Sequence, residues 1–98
     1  MLHEIHTIKS FRKIAPYTLE IVFGNNNCKT INFLPVLNGE MYGPLKNADY
    51  FDKVILDLEV KTIVWPNGAD FDPALLYNWE QNVEELKRRS KQWETEST

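Results

Sequence analysis

A single cysteine, Cys28, excludes an intrachain disulfide framework and a thiolate zinc cage, and it suits a reducing cytosol. No apolar run approaches the roughly 18 residues a membrane helix needs. Met1-Leu2-His3-Glu4 offers neither a basic n-region nor an apolar h-region. A cytoplasmic protein with neither signal peptide nor membrane span is therefore expected. Positive charge is scarce too. The 11 basic residues face 14 acidic ones, the formal charge is −3, and general nucleic-acid binding has no electrostatic footprint. His3 and His6 are the only imidazoles, and three apart on a strand they point to opposite faces, unable to share a metal. Neither a glycine-rich phosphate loop, an HExxH helix nor a nucleophile elbow is present. The expectation is no metal, no cofactor and no enzyme.

What is present is ordinary globular material, 43% apolar and 26% charged, in a chain of 98 residues that makes one small domain. A domain of this size buries only about 60–65% of the surface its unfolded chain exposes, which leaves little room for an enclosed site. Leu2 to Ile14, rich in isoleucine and threonine, reads as a strand ended by Ala15-Pro16. Tyr17, Leu19, Ile21 and Phe23 then alternate with Thr18, Glu20 and Val22, the period of a half-buried strand. Gly24-Asn25-Asn26-Asn27 accepts positive φ readily, and Ile31 and Phe33 alternate after it, so Tyr17 to Phe33 reads as a β-hairpin. Pro35, Gly39, Gly43 and Pro44 predict loops from Leu34 to Asp52, with one helical turn starting at Pro44. Val54 to Leu58 and Thr62 to Trp65 read as two further strands. The Asp57–Lys61 turn between them lacks glycine and asparagine, which favours a longer connection and leaves its register open.

Asp72 as N-cap and Pro73 at the first helical position open a helix over 73–93. Leu75, Leu76, Trp79, Val83, Leu86 and Trp93 form its apolar stripe, with Ser90 in the missing place, and Glu94 to Thr98 read as a polar tail. Charge surrounds the distal stripe, so Val83, Leu86 and Trp93 are expected to contact another chain, either a partner protein or a second copy. Lys87-Arg88-Arg89, with Lys91, is the only positive cluster, and Glu84 and Glu85 sit where helical ion pairs would neutralise it. Cys28 has no CxxC partner and reads as a partly buried structural thiol. Asp70 and Asp72, with Asp49 and Asp52, are weak candidates for a hard cation. Asp72 is needed as a cap, and Asp70 is expected to bond amides of the Asn67-Gly68 turn.

The run Ala48-Asp49-Tyr50-Phe51-Asp52-Lys53-Val54, followed by Thr62-Ile63-Val64-Trp65-Pro66-Asn67-Gly68-Ala69-Asp70-Phe71-Asp72-Pro73 and Leu76-Tyr77, resembles the bacterial family called domain of unknown function 2442. The resemblance spans roughly residues 3–78 and departs at Gly24–Cys28, where a shorter turn is usual, and in the helix after Tyr77. It implies a small α+β domain without established catalytic residues. Members are sometimes joined to a helix-turn-helix segment or encoded beside another small protein, as in toxin–antitoxin pairs. The motif residues also have structural readings: Trp65 covers the sheet, Pro66 ends a strand, Asn67-Gly68 turn the chain, and Asp70 and Asp72 serve the turn and cap.

The expectation is thus an α+β fold, a small antiparallel sheet of four to five strands in a domain over 1–78, with the C-terminal amphipathic helix part of the same unit. The leading function is a non-enzymatic protein-interaction module, the partner or antitoxin half of a two-gene unit. The alternative is a DNA-associated transcriptional regulator, acting as a dimer through its C-terminal helix.

Overall fold

The computed structural model describes residues 6–96, with side chains through Gln92. The strands β1 (Ile8–Ala15), β2 (Thr18–Phe23) and β3 (Cys28–Asn32) form an antiparallel sheet in the order β1-β2-β3. In β2 the predicted alternation places Leu19, Ile21 and Phe23 in the core. The β2–β3 turn is asparagine chemistry. Asn26 sits at φ 70°, and the Asn27 amide donates to Asn25 Oδ1 at 3.1 Å. Tyr17, read as the first strand residue, instead completes a two-residue Pro16-Tyr17 turn between β1 and β2. Its φ of 58° is left-handed, and its phenol donates to the Lys46 carbonyl, fixing the turn against the next segment.

The expected single sheet of four to five strands is two sheets. Among the described residues β4 (Ile55–Asp57) pairs only with β5 (Thr62–Val64), in the register Ile55↔Val64, Leu56↔Ile63 and Asp57↔Thr62. One backbone bond, Ile8 N to Lys61 O at 2.9 Å, links this pair to β1. Register shifts at Lys9 and Ile14 bend β1, and exposed Arg12 and Lys13 blunt its free edge, so the ladder does not extend. The β4–β5 connection is four residues long. Asp57 Oδ1 accepts from the Glu59 and Val60 amides at 2.8 and 3.2 Å, and Lys61 closes the turn at φ 57°.

Between the sheets the chain makes four short helical turns rather than one: 3₁₀ turns at Leu34–Val36 and Gly43–Lys46, α1 (Gly39–Tyr42) and α2 (Ala48–Phe51). The expected helix over 73–93 is also divided. Asp72 caps α3 (Pro73–Tyr77) by accepting from the Ala74 amide at 2.8 Å, Asn78 leaves helical geometry, and α4 (Trp79–Glu96) follows. The helix therefore enters the segment expected to be a tail, and it lies chiefly on the Leu34–Val36 turn and α1. The core gathers around Phe33, whose ring centroid is 5.1 Å from Phe71, 5.5 Å from Trp79 and 6.0 Å from Phe51.

Candidate functional site

The residues of the Trp-Pro-Asn-Gly-Ala-Asp motif are engaged within the fold. The buried Trp65 indole donates from Nε1 to the Phe51 carbonyl at 2.9 Å, and exposed Pro66 follows the last strand. Asn67 donates from Nδ2 to the Met41 carbonyl at 2.9 Å and accepts the Ala69 amide at 3.0 Å. Gly68 turns the chain at φ 87°. The turn amide expected on Asp70 thus goes to Asn67, because an Asx side chain reaches the amide two residues ahead of it. Asp70 joins through its backbone instead, its carbonyl accepting from Tyr42 Oη at 2.8 Å. Burial, reinforced by the Asp70 carboxylate, holds the Tyr42 phenol above its ordinary pKa. Asp52 pairs with Lys13 at 2.8 Å, and no three His, Cys, Asp or Glu side chains gather among the described residues.

A second constellation lies where the β2–β3 turn meets α3. Asn25 and Asn27 donate to Tyr77 Oη at 3.1 and 2.6 Å, the His6 ring stacks on Tyr77 at 4.0 Å, and Phe23 meets it edge-on. Phe23, Asn27, Cys28, Lys29 and Tyr77 line a shallow pocket of about 240 Å³. Cys28, expected to be partly buried, is exposed at the start of β3, where its side chain falls on the outward face of the strand, and Lys29 pairs with Glu80 at 2.6 Å. That bond, with the Glu80 backbone amide, lowers the Glu80 pKa. His3 lies outside the described residues.

The stripe on α4 faces inward. Trp79 and Ser90 are buried, and Val83 and Leu86 are half-buried against the chain's own core. Asn38 Nδ2 donates to Ser90 Oγ at 2.5 Å. Val83 and Leu86, expected to contact another chain, thus rest in part on their own chain, where α4 lies against the short turns between Leu34 and Tyr42, a region with no readable periodicity. The Trp93 side chain lies outside the described residues. In the basic run, Lys87 pairs with Glu84 at 3.4 Å, and Arg88 and Arg89 with Glu85 at 4.0 and 2.9 Å.

Among the described residues, the most exposed large apolar side chains lie elsewhere. Ile55, Leu58 and Val60 of the β4–β5 hairpin are 58%, 79% and 59% exposed. The sequence carried a signal for this, since Leu58 and Val60 interrupt the charged residues Asp57, Glu59 and Lys61 in a turn that needs no apolar side chain.

Together these features define a small α+β domain whose motif is built into its fold. The chain belongs to the family described as protein of unknown function DUF2442, whose family model matches residues 8–82. No curated protein and no solved structure matches it. Most of α4 lies past the matched region.

Proposed function

We propose that this chain is a non-enzymatic protein-interaction module, the partner half of a two-gene unit of the toxin–antitoxin kind, and that it binds through the β4–β5 hairpin. The observation that carries the reading is the exposure of Leu58 and Val60 on a four-residue tip, with Ile55 exposed on the strand that leads to it. An apolar cluster at an exposed tip is the kind of feature that marks recognition surfaces in small domains. Three such side chains present roughly 300 Å², against about 800 Å² per partner in a standard interface. Two hairpins laid face to face would therefore make a poor dimer. A protruding tip gains more by inserting Leu58 into an apolar groove on a different protein, where an anchor side chain becomes fully desolvated. The hairpin geometry supports this too, because Asp57 braces the tip and holds its backbone for docking.

The test is affinity capture from a lysate of the source organism with the wild-type chain and a Leu58→Glu/Val60→Glu variant. A stoichiometric protein retained by the wild type and lost by the variant, at unchanged melting temperature, is expected. Retention of the same proteins by both would overturn the reading.

A further inference from the structure

We infer that Asn78 is the hinge of a helix exchange, in which α4 of one copy seats on the 34–42 surface of a second copy. This inference does not rest on the hairpin. It starts from a disagreement between pattern and structure. The apolar spacing Leu76, Trp79, Val83, Leu86 runs through the α3–α4 junction, and residues 74–96 contain neither glycine nor proline, so nothing in the sequence breaks the helix. The break is one residue wide. The Asn78 amide still donates to Ala74 O at 3.1 Å in helical fashion, and Gln81 N returns to Asn78 O at 3.0 Å. Asn78 itself sits at φ −105° and ψ 34°. The helical bonds from Trp79 and Glu80 back to Leu75 and Leu76 are absent among the described residues.

Polar contacts hold the bend. Asn78 Nδ2 donates to Ala74 O at 2.9 Å, Asn82 Nδ2 donates to the Asn78 carbonyl at 2.9 Å, and Glu80 is tethered to Lys29 on β3. Further along, among the described side chains, α4 is seated by the half-buried Val83 and Leu86 and by the Asn38–Ser90 bond. Straightening at Asn78 makes the missing helical bonds and withdraws α4, together with Trp79, from its own domain. A second copy's α4 is the one occupant certain to fit the vacated seat, because it is the same helix. Trp79 then meets Phe33, Glu80 meets Lys29 and Ser90 meets Asn38 across chains, so the contacts of α4 with the core, β3 and the 34–42 surface are regained, and those between α3 and α4 at the hinge give way to continuous helix. An exchange that only relocates existing contacts is a low-cost route to a dimer.

The experiment anneals the full chain at the midpoint of denaturant unfolding, dilutes it, and reads the dimer fraction by light scattering. A dimer is expected for the wild type, and a several-fold larger fraction for Asn78→Ala, since alanine favours continuous helix over asparagine. The Leu58→Glu/Val60→Glu variant should dimerise like the wild type, which separates this inference from the hairpin reading. Exchange itself is read by annealing a mixture of Cys28→Ser/Asn38→Cys and Cys28→Ser/Ser90→Cys chains. Oxidation should then link the two different chains to each other in the dimer. Monomers throughout, for the wild type and Asn78→Ala alike, would overturn the inference, as would dimers without that mixed disulfide.

Discussion

The Trp65 indole packs among Phe33, Phe51 and Phe71, and its Nε1 satisfies a carbonyl that α2 leaves at its end. Removing the ring by Trp65→Ala should lower stability by about 3–5 kcal/mol, the range for large aromatic truncations in packed cores. Trp65→Phe restores much of the volume and leaves the Phe51 carbonyl with the Val54 amide alone, at 3.2 Å, a loss of about 0.5–1.5 kcal/mol for the missing bond. Denaturant unfolding measures both, and a Trp65→Ala midpoint equal to the wild type would remove the indole from the core. Glu80 carries a different kind of prediction. Hydrogen bonding to Lys29 and its own amide places its folded pKa below the unfolded value. The contribution to stability is therefore present above the ordinary glutamate pKa of about 4.3 and is lost as pH falls through the lower, folded value. Glu80→Gln should be less stable than the wild type at pH 7 and converge with it in acid. Glu80 is largely exposed, so the gap should be small and shrink in salt. A gap that persisted unchanged in strong acid would show that charge was not its source.

At the scale of elements, the sequence was legible where local chemistry decides the outcome. The period of two in β2, the asparagine turn after Gly24, and the Asp72-Pro73 helix start all need only near neighbours, and all three stand in the structure. Partnering between elements was not legible. Short apolar runs such as β4 and β5 say that a strand forms but not which strand lies beside it, and the split into two sheets depends on irregularities in β1. Tyr17 looked like a strand residue because it continued the alternation, yet Pro16 presets a turn that puts it at positive φ. The α4 seat was hidden for a related reason: its surface comes from short turns between Leu34 and Tyr42 that carry no period. Of the candidate site, the motif residues were readable as structure and the hairpin patch was passed over as a turn. The Asn67-Gly68 turn permits a quantitative check. Asn67→Ala loses both side-chain bonds and should be destabilised by about 1–3 kcal/mol. Gly68→Ala should lose about 1–2 kcal/mol through its left-handed backbone alone, since nothing lies within 4 Å of the added Cβ. Thermal melts falling by several degrees for each would bear this out, and an unchanged Gly68→Ala melt would refute the conformational argument.

For the molecule as a whole, the question is whether α4 belongs to the cooperative unit or rides on it. The family match ends at Asn82, just after the residues that anchor the start of α4, Trp79 through the core and Glu80 through Lys29. Beyond that point α4 contributes the half-buried Val83 and Leu86 and the Ser90 bond to Asn38. Partial burial of two aliphatic side chains is worth about 1 kcal/mol each, and the hydrogen bond about 1 kcal/mol, before the entropy of ordering the helix is subtracted. A chain ending at Asn82 should therefore still unfold in one cooperative transition, with stability lower by about 1–3 kcal/mol and a slightly smaller denaturant slope. Lacking the exchanged segment, it should also stay monomeric under annealing conditions that give the full chain its dimer. Loss of the transition altogether would mean that the surface under α4 cannot be left bare and that the folding unit extends past the family domain. A truncated chain that still dimerised would place the association outside α4.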